Sequence, residues 1–166
     1  MNLDEGKKQF IDSWGQLGIN WGVNKTMGQV HALLLIANTP LCCDDIMSEL
    51  SISRGNVNMN TRALVDWGLV HKKFVQGERK EFFVAEKDVF VMFKAVIQMR
   101  KRKELDPMIK VLTEISTVKG GCKESEEFCR MVKDLKHFSK KAESALNNVI
   151  ASEGNWLFGT FMKMMK

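Results

Sequence analysis

The sequence predicts a mainly α fold with a small β-wing (α+β), a winged helix-turn-helix on a helical dimerisation scaffold. Three observations predict it. Residues 44–66 read as two short amphipathic helices joined by Ser51-Ile52-Ser53, the layout of a helix-turn-helix. Two runs rich in β-branched and aromatic residues, 70–75 and 82–84, follow at once around a turn containing Gly77. Beyond residue 88 the apolar positions return to helical spacing. The chain divides accordingly into an N-terminal helix contributing to the scaffold (1–24), a winged helix-turn-helix DNA-binding domain (25–87) and a helical dimerisation region (88–166).

Phe10, Ile11, Trp14 and Leu17 follow helical spacing, and Gly18 is placed to end that helix. A second helix over residues 26–37 carries Met27, Val30, Leu33, Leu34 and Ala37. His31 lies among them and is expected to be a partly buried, hydrogen-bonded histidine rather than a ligand or sensor. Thr39-Pro40 stops what precedes, because a residue before proline avoids the helical region. Asp44 and Asp45 then suit the first turn of the next helix, where negative charge opposes the dipole.

Ser53 is a good N-cap for the following helix. Within it Val57, Thr61, Leu64 and Val65 share one side and should face the core. The other side carries Gly55, Asn58, Met59, Arg62 and Asp66, with Arg54 in the first turn. Arginine and asparagine are the side chains that pair bidentately with guanine and adenine edges. Gly55 costs helix stability, about 1 kcal/mol against alanine, and suits a backbone that must approach a phosphate. Lys72, Lys73, Arg79 and Lys80 make the hairpin basic, as phosphate contact or minor-groove insertion of an arginine requires. The candidate DNA-binding set is therefore Ser53, Arg54, Gly55, Asn58, Met59, Arg62, Lys72, Lys73, Arg79 and Lys80.

The run SRGNVNMNTRALVDWGLV followed by GERKEFF resembles the GbsR/MarR-type family of bacterial transcriptional regulators, as do WGVNKTMGQVHALLLI upstream and RKRKELDP downstream. The resemblance covers residues 14–112. It implies a winged helix on a dimerisation scaffold, operator binding, Arg54, Asn58 and Arg62 on the DNA side, and Arg79 at the wing tip. Some members of that family respond to choline-like osmolyte precursors, so the resemblance also admits a small-molecule effector. Between residues 24 and 29 the chain has neither the proline nor the arginine common in the family, and no effector contact is carried over from there.

After the wing, Asp88 is placed to cap a helix over 89–103 whose end is Arg100-Lys101-Arg102-Lys103, read first as a solvated helix end and second as a phosphate contact. Asp106-Pro107 should restart a helix, with Asp as cap and Pro at the first position. Lys119-Gly120-Gly121 should stop it. Phe128, Met131, Leu135, Phe138, Ala142, Ala145 and Val149 then alternate three and four apart, a heptad seam that needs a partner. That partner is either the earlier helices of the chain or the same helix of a second copy. Trp156 and Phe161 in the apolar tail should fold back or join the same dimer interface.

The 166 residues are 45% hydrophobic and 27% charged, the composition of a folded soluble protein, and suffice for one sizeable core or two small interlocked parts. A net charge of +5 permits nucleic-acid binding, though the local clusters say more than the total. The four cysteines form no CxxC pair, which argues against a zinc site, and a redox role for Cys42-Cys43 is a minor alternative. No signal peptide or membrane span is visible, so a cytoplasmic protein is expected. There is no phosphate loop, nucleophile elbow or metal-spaced cluster, so neither enzyme activity nor a cofactor is expected. Trp14, Trp21, Trp67 and Trp156 are read as core residues before an aromatic cage for quaternary ammonium. The expected partners are double-stranded DNA and a second copy of the chain. The rival reading is a winged helix used only as a protein-interaction module, which should present an apolar face poor in lysine and arginine.

Overall fold

In this computed structural model, residues 1–118, 120 and 123–152 are described. The first helix, α1 (Leu3–Asn20), opens on a capping box. Asn2 Oδ1 accepts the Glu5 N–H at 2.8 Å, and the Glu5 carboxylate accepts the Asn2 N–H at 2.9 Å. Gly18 does not end this helix, contrary to expectation. The stop comes at Gly22, whose φ of 79° lies in the left-handed region. The Val23 N–H returns to the Gly18 carbonyl and the Gly22 N–H to the Ile19 carbonyl, both at 3.0 Å, a Schellman motif.

Helix α2 (Lys25–Ile36) is capped by Asn24, whose Oδ1 accepts the Met27 N–H at 2.8 Å. α1 packs along α2 at a glycine crossing. A Cβ on Gly28 would lie 2.9 Å from both the Gly15 Cα and the Trp14 carbonyl, so only glycine lets the backbones approach this far. Met27, Val30, Leu33 and Leu34 are buried. His31 is buried too, and the Trp14 indole donates to its Nδ1 at 3.2 Å. The proton of neutral His31 is then on Nε2, which has no hydrogen-bond partner among the described residues. Burial lowers the His31 pKa to about 4.

β1 (Leu41–Cys42), α3 (Cys43–Leu50), α4 (Arg54–Asp66), β2 (Val70–Lys73) and β3 (Phe82–Ala85) complete the winged unit. The sheet is antiparallel in the order β1-β3-β2, with Leu41 opposite Phe83 and Val70 opposite Ala85. β1 was not foreseen, since two residues show no alternation. Ile46, Val57, Leu64, Leu69, Val70, Phe83 and Ala85 are buried and carry the unit's core along with α2.

α5 (Val89–Arg100) starts where Asp88 accepts the Phe90 and Val91 N–H groups at 2.8 and 3.0 Å, as expected of a cap. The next expectation fails. Asp106 is not a cap, because α5 runs through a wide turn at Lys101–Leu105 straight into α6 (Asp106–Ile115). Asp106 itself has helical angles, and its N–H returns five residues to Lys101. Pro107, which lacks an N–H and would clash with a carbonyl in a regular helix interior, follows directly on this wide turn. α7 (Lys123–Ala151) packs against α6 and this turn. The chain forms two compact units, Met1–Met92 and Phe93–Lys166, and among the described residues of the second the buried side chains are Met99, Leu112, Val132 and Ser139.

Candidate nucleic-acid interface

The interface is built on α4. Ser53 Oγ accepts the Asn56 N–H at 3.3 Å at its start. Its end is a second Schellman motif, with Gly68 at φ 74°, Leu69 N–H on the Leu64 carbonyl at 3.0 Å and Gly68 N–H on the Val65 carbonyl at 2.9 Å. Val57, Asn60, Thr61 and Leu64 are buried on the inner side. Arg54, Gly55, Asn58, Met59, Arg62 and Asp66 are exposed on the outer side. The division follows the helical period except that Val65, expected on the core side, is only half-buried, and it brings Arg54, Asn58 and Arg62 to one open face. Among the described residues only Ser53 Oγ, at 4.0 Å, comes near a Cβ placed on Gly55, so no contact among them requires a glycine there.

Asn60 was missed. Its Oδ1 accepts from Asn24 Nδ2 at 3.0 Å, and its own Nδ2 donates to the Asn56 carbonyl at 2.8 Å. Asn24 in turn caps α2, so one asparagine pair fixes the azimuth of α4 against the start of α2. Position 60 lies on the inner side by the same arithmetic that places 57, 61 and 64 there, and that was the available signal.

The hairpin between β2 and β3 turns at residues 75–78, where the Glu78 N–H meets the Val75 carbonyl at 3.1 Å. Gly77 takes φ 86° as the turn requires. Lys72, Lys73, Arg79 and Lys80 are all exposed, but they are not equivalent. Lys72 pairs with Glu81 at 2.7 Å. Lys80 pairs with Asp44 at 2.9 Å. Arg62, Lys73 and Arg79 enter no ion pair among the described residues.

Asp44 also pairs with Arg54, and so joins α3, the start of α4 and the wing. The Lys80 ammonium first, and then the Arg54 guanidinium, hold the Asp44 carboxyl below the usual range. The same contact raises Lys80. Asn58 Oδ1 also accepts a long contact from the Cys43 thiol at 3.8 Å. Burial pushes that thiol upward in pKa, against the reactive direction. Cys42, Cys43 and Cys129 are free, and Cys122 lies outside the described residues.

The basic run at 100–103 is not a helix end, because the helix continues. Arg100 pairs with Glu104 at 3.2 Å, and Lys101, largely covered, pairs with Asp106 at 2.8 Å and Glu143 at 3.4 Å. Lys101 therefore ties the wide turn to α7. Among the tryptophans, Trp14 and Trp67 are half-buried, Trp21 is exposed and Trp156 lies outside the described residues. Trp14 stacks at a tilt between Phe10 and His31, with ring centroids 5.3 and 6.1 Å away. Among the described residues no group of three or more His, Cys, Asp or Glu could hold a metal, and no helix is long and apolar enough to cross a membrane.

α7 carries two heptad stripes. Val132 and Ser139 are buried, and Lys136 between them reaches the Ser116 hydroxyl at 3.1 Å. The seam singled out in the sequence is the other stripe. Phe128, Met131, Leu135 and Phe138 are exposed, Phe138 by 71%. Ala142 and Val149 are partly covered. Within its own unit the 128–138 half of this seam is therefore left open among the described residues. Trp156 and Phe161 lie outside them.

No family model matches the chain. It is 25% identical over 112 residues to the HTH-type transcriptional repressor GbsR of Bacillus subtilis (strain 168), a stretch that covers 68% of this chain and 62% of that protein. The crystal structure of a transcriptional regulator superposes with a TM-score of 0.70 at 14% identity, over 87% of this chain and 95% of that one. The chain is similar in sequence to GbsR and has a winged-helix fold. The chain thus spans somewhat less than two thirds of its GbsR relative's length. A Staphylococcus aureus MepR mutant bound to an oligodeoxyribonucleotide aligns at a TM-score of only 0.42 and 17% identity, over 84% of this chain and 92% of that one. The GbsR-like chain keeps the architecture expected of it, mostly helical with a small antiparallel sheet.

Proposed function

We propose that this protein is a sequence-specific DNA-binding transcriptional regulator that acts as a dimeric repressor in the cytoplasm. α4 enters the major groove, with Asn58 and Arg62 on base edges and Ser53, Arg54, Gly55 and Met59 at the groove entrance and backbone. The hairpin lays Lys72, Lys73, Arg79 and Lys80 along the phosphates, with Arg79 near the minor groove. One observation carries the reading: the open side of α4 presents Arg54, Asn58 and Arg62 next to a basic hairpin, while the inner side is buried. Lysine is depleted at protein–protein interfaces, whereas this face carries Lys72, Lys73 and Lys80 beside its arginines. Similarity to a protein described as a transcriptional repressor supports the same reading.

The dimer forms through Phe128, Met131, Leu135, Phe138, Ala142 and Val149 of α7, with Trp156 and Phe161 of the tail. Four large apolar side chains exposed on one helix support this. A two-fold dimer would set two α4 helices on a palindromic site. The test is selection of bound sequences from a random DNA pool by the purified protein. A two-fold symmetric consensus is expected. Recovery of unenriched sequence would leave only general basic attraction and end the claim of specific reading.

A further inference from the structure

Asp44 lies in the first turn of α3, but the helix does not need it as a cap. Asp45 already accepts the Cys42 N–H at 2.8 Å. The Asp44 carboxylate spans two other elements instead. One oxygen accepts from the Arg54 guanidinium and the other from Lys80 Nζ at 2.9 Å. The side chains of Arg54, Asp44 and Lys80 are 60%, 43% and 57% exposed, so solvent and any polyanion reach the trio. Exposed pairs of this kind add little to stability, which leaves the fold little reason for the arrangement. Its position is more informative. The carboxylate stands on the face read above as the DNA surface and occupies two of that surface's cations. To a guanidinium or an ammonium, a carboxylate oxygen and a phosphate oxygen are the same kind of acceptor.

We propose that Asp44 is a built-in competitor for DNA phosphate, holding Arg54 and Lys80 closed in the free protein until a phosphate displaces it. The proposal rests on the DNA-binding reading. Its consequence is a brake on adhesion to DNA of any sequence, since the displacement is required before bases are read. Electrostatic adhesion is the main term in non-specific binding, so the brake acts most visibly there.

The test is a titration of a 30-base-pair mixed-sequence duplex at low, fixed salt with wild type, Asp44→Asn and Glu49→Gln. Glu49 is exposed on the same helix and controls for loss of one negative charge. Asp44→Asn should bind about fivefold more tightly. Glu49→Gln should gain less than twofold. In an Arg54→Gln/Lys80→Gln background, where no cation is left to release, Asp44→Asn should gain no more than Glu49→Gln does. Unchanged or weaker binding by Asp44→Asn overturns the proposal, as does a full gain that persists in that background. If the wild type binds the duplex and only these differences are missing, the competitor fails and the DNA reading stands. If the wild type binds no duplex at any salt, both fall.

Discussion

α4 and α7 are both amphipathic helices that bury one side and leave the other open, yet their open sides are opposites. The outer side of α4 is polar, with Arg54, Asn58 and Arg62 exposed. The outer side of α7 is apolar, with Phe128, Met131, Leu135 and Phe138 exposed. Burial alone would call both surfaces available. The partners proposed for them differ accordingly: a hydrated polyanion for α4, and an apolar surface that excludes water for α7. The modest net charge is compatible with the proposed DNA binding, since Arg62, Lys73 and Arg79 are exposed on that surface while Arg100 and Lys101 elsewhere are paired internally.

The largest expected effect breaks the α7 side. Leu135→Glu/Phe138→Glu puts charge into the centre of the proposed dimer seam, and each buried anchor lost from an interface costs on the order of 2 kcal/mol or more. The dimer constant should weaken about a thousandfold. Sedimentation at micromolar concentration should give twice the chain mass for wild type and the chain mass for the variant. A wild-type monomer would remove the seam argument, and a variant that still dimerises would move the interface elsewhere.

Next comes the unit that carries α4. Its buried His31 has a pKa lowered to about 4 against an ordinary value of 6.5. The unfolded chain thus binds the proton first as pH falls. The contribution of neutral His31 is complete above about pH 6.5 and is lost progressively toward pH 4, by roughly 3 kcal/mol in total. Urea unfolding of wild type should show this acid loss, and His31→Gln should flatten it across that window. Parallel pH profiles for the two proteins would show that His31 is not the titrating group.

A smaller effect sharpens the α4 side. Arg79, exposed beside the Gly77 turn, is the proposed wing contact. Arg79→Ala should weaken operator and scrambled DNA alike and reduce the salt slope by roughly 1. Unchanged binding at moderate salt would mean that the wing does not touch DNA.

Local rules made much of this legible in advance. Ser53 and Asp88 announce their caps, the 57/61/64 stripe orients α4, and the Gly-centred turn marks the wing. What escaped depends on residues far apart or on choices between equals. The Asn24–Asn60 bond and the Asp44–Lys80 pair each join positions 36 apart, which no local window contains. Gly18 and Gly22 are both good helix stops in sequence, and Gly22 is the one that takes the left-handed conformation. Asp106-Pro107 has the chemistry of a fresh helix start, but a wide turn carries the helix through it. For α7 the two heptad stripes compete, and the less apolar one, with Val132 and Ser139, is the one that turns inward.

The claim that the open side of α4 reads bases is tested most directly by titrating Asn58→Ala and Arg62→Ala on the selected operator and on a scrambled duplex at one salt concentration. Both side chains are exposed, so both variants should fold normally. Each should lose roughly 1–3 kcal/mol on the operator, with little loss on the scrambled DNA. Equal losses on the two duplexes would contradict base reading and make these residues phosphate contacts, and no loss on either would show that α4 faces something other than DNA.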